Sequence, residues 1–309
     1  MRPRSTFPLG WGLLDAVGPR AWSGVVVALM LSASSLAGEH RTSELPFRMY
    51  QEHLIVVKGS IGASEGLNFL VDTGATRTLV DRKTAKKLRL EGLNGDVQLA
   101  SFKNGQAQEL VVPELRFGPL GVRSARVLAT DLSFLSWSGT SVDAIIGLDV
   151  LRLSSFRVDY VSRCITFGPV EDSGSAVPFQ SVSPLLTVDL AIGSRVARLM
   201  VDTGAPRLTL FPNRMQSRLP GFLLKGVRTG QGTGGRSQLR EVELAAVRLG
   251  PTEWLHVGAL LVDVAASSFN DFDGVLAPSS LSVRSLCFDF LRNRLGWKEK
   301  RRRRRHLSR

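Results

Sequence analysis

The sequence predicts an all-β protein of two homologous antiparallel lobes, related by a pseudo-twofold axis and carrying a few short helices. β-rich segments separated by Gly/Ser turns recur along the chain, as in "HLIVVKGSIG" followed by "GLNFLVDTG". The thirty Gly and fourteen Pro are scattered rather than clustered, which indicates many turns. A third observation, an internal repeat, indicates that there are two lobes.

Three pairs of landmarks in the sequence share one spacing. The separation along the chain is identical for Asp72 and Asp202, for Asp143 and Asp273, and for Asp159 and Asp289. One spacing for three landmarks indicates two copies of one unit. We therefore expect a first lobe over residues 47–170 and a second over 177–298, joined by the polar segment "PVEDSGSAVP".

Each copy contains further local signals. "DRKTAKKLRL" is typical of a short helix with Asp81 as its N-cap. The following segment, "DVQLASFKNGQAQELVV", predicts a projecting hairpin around Lys103-Asn104-Gly105. "VRTGQGTGGRSQLREVEL" occupies the corresponding place in the second copy.

The two ends of the chain carry much of its formal charge of +13. Residues 1–37 resemble an export signal, because arginines precede an apolar stretch that ends in small residues; an uncleaved membrane anchor is the alternative. Residues 299–309 form a basic tail. We expect an exported protein, periplasmic or secreted, with a solvated tail that makes at most weak contact with anionic surfaces. The charge does not indicate a nucleic-acid partner, since little of it remains in the body of the chain.

Export permits a disulfide between the only two cysteines, Cys164 and Cys287. They do not occupy equivalent positions of the repeat, so the duplication gives no argument for pairing. A disulfide and two buried free thiols both remain open.

Two motifs match known catalytic or binding patterns by chance. "GASEG" at Gly62–Gly66 has the form of a nucleophile elbow, but it lies between two predicted strands with no helix after it. "GQGTGG" at Gly230–Gly235 has the form of a nucleotide-binding loop, but it falls at a predicted hairpin tip. No segment has metal-ligand spacing, and we expect no metal or cofactor.

The repeated "VDTGA" contains the residues that we expect to perform acid–base chemistry. It follows three apolar residues in each copy, so Asp72 and Asp202 face burial. If the copies face each other about a twofold axis, the two carboxylates meet, cannot both ionise easily, and share one proton. The pair then supplies a base and an acid at the same pH. Gly74 and Gly204 leave room beside the carboxylates, and Thr73 and Thr203 are placed to hold the loops by hydrogen bonds.

These motifs resemble the pepsin-fold (retropepsin-like) aspartic proteases, over about residues 47–298. Asp-Thr-Gly at 72–74 and 202–204 and "IIG" at 145–147 carry the resemblance. It implies a two-lobed acid-protease fold and an aspartic endopeptidase, with Asp72 and Asp202 as catalytic residues. It also implies a monomer, no cofactor, and a polypeptide substrate lying extended beneath flap hairpins. The flap residues expected to contact substrate are Phe102, Asn104, Gly105, Gly232 and Thr233.

The second copy departs from the pattern at one place. Ala277-Pro278 stands where the first copy has Gly147-Leu148, which predicts a second active-site loop that sits differently. This departure favours an alternative function, a catalytically impaired, protease-like protein that binds peptides. A second alternative is a protein that uses its basic tail to bind a membrane surface or a polyanion.

Overall fold

The computed structural model describes residues 43–98, 106–136, 140–170, 174–182, 185–215, 221–232, 235–264 and 271–300. The predicted export signal lies outside these residues, as does all of the basic tail beyond Lys300. Within the described ranges, no helix is long and apolar enough to cross a membrane.

The predicted all-β fold is confirmed. The strands and helices of the first half are β1 (Ser43–Tyr50), β2 (Leu54–Ile61), β3 (Ser64–Val71), β4 (Leu79–Asp81), α1 (Arg82–Lys87), β5 (Glu91–Gln98), β6 (Gln106–Phe117), β7 (Leu120–Thr130), a 3₁₀ turn (Ser133–Leu135), β8 (Ala144–Ile146), α2 (Leu148–Leu151), β9 (Phe156–Asp159) and β10 (Cys164–Phe167). Those of the second half are β11 (Ser175–Pro178), β12 (Gln180–Val182), β13 (Leu185–Ile192), β14 (Arg195–Val201), β15 (Leu208–Leu210), β16 (Phe222–Gly232), β17 (Gly235–Leu249), β18 (Thr252–Val262), β19 (Gly274–Leu276), a 3₁₀ turn (Pro278–Ser280), β20 (Val283–Asp289) and β21 (Arg294–Glu299).

The two lobes repeat one topology. The first lobe has the strand order β3-β8-β4-β7-β6-β5, and the second has β14-β19-β15-β18-β17-β16. In each, the strand that leads to Asp-Thr-Gly pairs in parallel with a three-residue strand, β8 or β19. Both lobes bury apolar side chains in one large core. A smaller cluster, which includes Ala75 and Leu79, lies beside the first active-site loop, residues 72–77.

Six strands in the order β11-β21-β20-β9-β10-β1 join the lobes. At the centre of this sheet Arg157 of β9 lies opposite Cys287 of β20, and these two residues occupy equivalent positions of the repeat. A residue paired with its own repeat equivalent marks the local pseudo-twofold axis. The rings of Phe156 and Phe288 stack beside the axis with centroids 4.8 Å apart.

The polar segment between the copies contains more structure than a linker. Its last four residues form β11, which pairs with β21 over Ser175–Pro178. The second lobe is therefore tied to the joining sheet immediately after the first lobe ends.

Two of the aspartate landmarks have structural roles. Asp159 Oδ1 accepts hydrogen bonds from the N–H groups of Val161 and Ser162, at 2.8 and 3.0 Å. Asp289 Oδ1 accepts from the residues two and three positions later in the same way, at 3.1 Å each. Both aspartates hold tight turns, which explains why the repeat keeps them.

The predicted helix is confirmed as α1. Asp81 Oδ2 accepts from the N–H groups of Lys83 at 2.9 Å and Thr84 at 3.3 Å, so Asp81 is its N-cap. Both predicted hairpins are also present, with β5 paired to β6 and β16 paired to β17. We call them the first hairpin and the second hairpin. "GASEG" spans the β2–β3 turn, as expected. Of "GQGTGG", the described residues end β16 and begin β17, with Gly232 opposite Gly235.

Both cysteines are free thiols, with Cys287 buried and Cys164 half-buried. Cys164 of β10 lies opposite Asp159 of β9, whereas Cys287 of β20 approaches β9 from its other side. The cysteines are thus two strand spacings apart and offset by two residues along the strands, which puts their Cα atoms more than about 10 Å apart. A disulfide requires Cα atoms closer than about 7 Å, so these two cannot pair without movement of the backbone.

Candidate active site

The two Asp-Thr-Gly segments begin where β3 and β14 end. Each strand finishes in three buried apolar residues, Phe69–Val71 and Leu199–Val201, which hold the next residue inside the molecule. The N–H of Asp72 donates to the carbonyl of Ile146 at 3.1 Å, and that of Asp202 donates to Leu276 at 3.0 Å. The two aspartates are therefore fixed by equivalent backbone contacts.

Thr73 and Thr203 bind each other's loops reciprocally. Thr73 N–H donates to Thr203 Oγ1 at 3.0 Å, and Thr203 N–H donates to Thr73 Oγ1 at 3.1 Å. Each hydroxyl then donates across the axis, Thr73 to the carbonyl of Val201 and Thr203 to that of Val71, both at 2.9 Å. All four groups are buried, so these bonds lock the two loops together.

Gly74 and Gly204 permit the loops to approach. A Cβ atom on Gly74 would lie 2.7 Å from Asp202 Oδ2, and one on Gly204 would lie 3.0 Å from Asp72 Oδ2. The first distance is shorter than any real Cβ contact, and the second is very tight. Each glycine thus makes room for the carboxylate of the opposite lobe.

The carboxyl groups of Asp72 and Asp202 meet at the axis, each against the glycine of the opposite loop. Asp72 is 4% exposed and Asp202 is fully buried. Gly74 N–H donates to Asp72 Oδ1 at 2.8 Å, while Asp202 Oδ1 accepts from Gly204 at 2.7 Å and Ala205 at 3.0 Å. Burial raises the pKa of Asp72, although its hydrogen bonds with Asp202 and the loop backbone oppose the shift. This geometry suits a pair that retains one proton.

A carboxylate supports the first active-site loop. Asp149 accepts hydrogen bonds from Thr78, at 2.8 Å from its N–H and 2.7 Å from its hydroxyl. Leu148 N–H donates to the carbonyl of Ala75 at 2.8 Å. A Cβ on Gly147 would lie 2.7 Å from the carbonyl oxygen of Arg77, so this position requires glycine.

The predicted difference in the second loop does not extend to the backbone of Asp202 or to Thr203, which make the same contacts as their equivalents in the first loop. The difference lies beneath them. Pro278 has no N–H to donate to the loop, and a 3₁₀ turn replaces α2. Ser280 takes over the support, since its hydroxyl accepts from the N–H of Leu208. Ser279 adds a hydrogen bond from its hydroxyl to the carbonyl of Pro206 at 3.2 Å.

Two ion pairs that the sequence did not predict connect the active-site loops to the hairpins. Arg77 binds Glu109 of β6 at 2.8 Å, and Arg207 binds Glu241 of β17 at 3.5 Å. Arg77 stands five residues after Asp72, and Arg207 stands five residues after Asp202. The repeat could have drawn attention to these two arginines, because Arg77 and Arg207 occupy equivalent positions in the two copies.

The flap residues are described only in part. Phe102, Asn104, Gly105 and Thr233 lie outside the described residues. Gly232 ends β16 and lies opposite Gly235, at the tip of the second hairpin. The structure therefore brings together the six predicted residues of the two Asp-Thr-Gly segments and places Gly232 on a hairpin.

Comparison with known families agrees with this architecture. A model of the aspartyl protease family matches the sequence twice, over residues 57–150 and 188–281. A search among curated proteins finds none that matches the sequence significantly. The chain belongs to the retropepsin-like aspartyl proteases, a family of peptidases, and has their two-lobed fold in a duplicated form.

Proposed function

We propose that the protein is an aspartic endopeptidase that cleaves extended polypeptide with water activated between Asp72 and Asp202. The observation that carries this proposal is the buried carboxyl pair at the axis, whose loops are held by matching contacts from both lobes. Two carboxyl groups that share one proton provide a general base and a general acid at one pH.

In the proposed reaction, a water molecule lies between the carboxyl groups. The ionised carboxylate removes a proton from the water, whose oxygen adds to the carbonyl carbon of the scissile bond. The protonated carboxyl donates its proton to the carbonyl oxygen. Collapse of the tetrahedral intermediate then breaks the C–N bond. The leaving nitrogen takes the proton that the pair removed from the water, and one hydroxyl of the intermediate returns a proton to the other carboxyl group, so the pair again holds one proton. No covalent enzyme intermediate forms, and the residues need no cofactor.

The hairpins supply a means of binding substrate. They project from strands that lie beside the active-site loops, and an extended chain can pair with their backbones. The substrate class is therefore unfolded or extended polypeptide rather than a folded surface. Export by residues 1–37 and weak binding of the basic tail to anionic surfaces remain part of this proposal, as does a monomeric state.

The main alternative is a protein that binds peptides without cleaving them. It drew support from Ala277-Pro278, which was expected to displace the second loop. The backbone contacts of Asp202 and the hydrogen bonds of Thr203 weigh against it, because they equal those of the first lobe.

A cleavage assay tests the proposal. We expect the full chain to cut an unstructured protein at mildly acidic pH. A peptide with a central hydroxyethylene group should block the reaction, since its hydroxyl occupies the position of the attacking water. The matched control is the same peptide without the hydroxyl, which should inhibit far more weakly. Absence of cleavage between pH 3 and 7, or equal inhibition by the two peptides, would contradict the proposed mechanism.

A further inference from the structure

The outer strands of the two hairpins carry opposite charge. β5, Glu91–Gln98, contains two acidic residues and no Lys or Arg. β16, Phe222–Gly232, contains Lys225 and Arg228 and no acidic residue. The two strands occupy equivalent places at the ends of the two lobe sheets, so the lobes differ in charge at this place.

The ion pairs beneath the hairpins also make the second lobe more positive than the first. In the first lobe, Arg77 binds Glu109 at 2.8 Å and lies 3.5 Å from the carbonyl of Arg126. In the second lobe, Glu241 Oε1 is shared between Arg207 at 3.5 Å and Arg228 at 3.2 Å. One carboxylate faces one guanidinium in the first lobe and two in the second, which leaves a net positive charge there.

Arg207 is an exposed cation between the second active-site loop and the second hairpin. In the loop of residues 202–207, Pro206 and Arg207 alone are not buried, and the Arg207 side chain is 54% exposed. The side chain extends from the active-site loop to the second hairpin. An extended chain bound between that loop and that hairpin would pass it. Arg77 is less available, because its side chain is 29% exposed and its ion pair is shorter.

We propose that Arg207 binds an acidic side chain of the substrate and so determines specificity on the second-lobe side of the cleft. The guanidinium has N–H donors beyond the one directed at Glu241, and it competes with Arg228 for that carboxylate. A substrate carboxylate would supply the second anion that this three-residue group lacks. The inference rests on the proposed function, because it assumes that polypeptide binds at the carboxyl pair.

Binding of uncleavable peptides tests this inference. Octapeptides with a central hydroxyethylene group would carry a single Glu, or the isosteric Gln, at each position in turn, at pH 6. For the wild-type chain we expect Glu to bind about five- to tenfold more tightly than Gln at one or two positions on one side only, the size of effect that a half-exposed charged hydrogen bond gives. The Glu-to-Gln ratio, which is the affinity of the Glu peptide divided by that of the Gln peptide at the same position, should fall as salt rises to about 0.5 M.

The variants assign the effect to a residue. Arg207→Gln should reduce the Glu-to-Gln ratio to about one, since the guanidinium is lost. Arg228→Gln should reduce it partly, because Glu241 then serves Arg207 alone. Arg77→Gln, the equivalent change in the first lobe, should leave the ratio unchanged, as should Arg284→Gln in the joining sheet. The ratio compares two peptides on one protein, so a general loss of folding cannot imitate the result.

Each outcome decides a separate question. A Glu preference that survives Arg207→Gln, or no preference at any position, would overturn the inference even if the amide peptides are cleaved. A Glu preference without cleavage of the matching amide peptides would support the role of Arg207 and overturn the proposed hydrolysis. If no peptide binds, both are overturned.

Discussion

The first and second active-site loops differ in their supports but agree in what they present. Both place an aspartate at the axis through the same backbone contact, and both exchange threonine hydrogen bonds. Beneath them, Asp149 accepts hydrogen bonds from the first loop and Gly147 lies against its backbone, whereas Ser280 accepts from the second loop and buried Ala277 takes the place of the glycine. The threonine hydrogen bonds are strictly paired, since each of them joins one lobe to the other. The supports involve one lobe each and were free to diverge.

Substitutions at Gly147 and at its equivalent in the second lobe, Ala277, should give the largest difference between the loops in the free energy of unfolding. Gly147→Ala would place a methyl group against the backbone of Arg77, which cannot move aside as a side chain could. We expect a loss of about 3 kcal/mol in the free energy of unfolding. The reverse change in the second lobe, Ala277→Gly, should cost about 1 kcal/mol through lost burial and added chain freedom. Urea unfolding of the two variants measures both, and equal losses would show that the loops do not differ here.

Removing the two polar supports, Asp149 and Ser280, should give a smaller difference in the free energy of unfolding. Asp149→Ala leaves the N–H and hydroxyl of buried Thr78 without their acceptor, and we expect a loss of about 2 kcal/mol. Ser280→Ala removes one neutral acceptor from the N–H of buried Leu208, for about 1 kcal/mol. Unfolding by urea again gives the values. A larger loss for Ser280→Ala would reverse the proposed ranking of the supports.

The buried pair should also give a pH dependence. The pKa of Asp72 is raised in the folded protein, so the folded state holds this proton more tightly than the unfolded state does. The resulting stability is fully present below the pKa of an unfolded aspartate, about 4, and is lost as pH rises through the raised value. Asp72→Asn removes this loss, so the variant should gain in stability relative to wild type as the pH rises from 3.5 to 7.

Asp131→Asn provides a control of opposite sign. Hydrogen bonds from Ser133 lower the pKa of Asp131, so its contribution to stability is present at higher pH and is lost on acidification. That variant should therefore lose stability relative to wild type as pH rises. If both variants follow the same trend, burial of the carboxyl pair does not govern the stability of the site.

The sequence predicted the fold because the repeat and the local signals agreed. The constant spacing of the repeat placed both Asp-Thr-Gly segments after buried strands, and Asp81 marked the start of α1 correctly. The strand β11 was not predicted, because its partner β21 lies far along the chain, at the end of the second copy, and leaves no local signal.

The errors at the site have a similar origin. Ala277-Pro278 suggested a displaced second loop, because the sequence did not reveal that Ser280 accepts the hydrogen bond of Leu208 instead. The ion pair of Arg77 was missed because its partner, Glu109, comes from a separate strand. Such contacts depend on where the chain returns in space, which composition and periodicity do not report.

The central claim is that Asp72 and Asp202 act as one catalytic unit. The most direct test is kcat/KM for peptide cleavage by Asp72→Asn, Asp202→Asn and the double variant, at the pH optimum of the wild type. We predict that each single change abolishes cleavage and that the double variant is no worse than either, because removal of one carboxyl group already disables the pair. Circular dichroism of each variant checks that the fold is retained. Substantial cleavage by either single variant, or a further loss in the double variant, would contradict the claim.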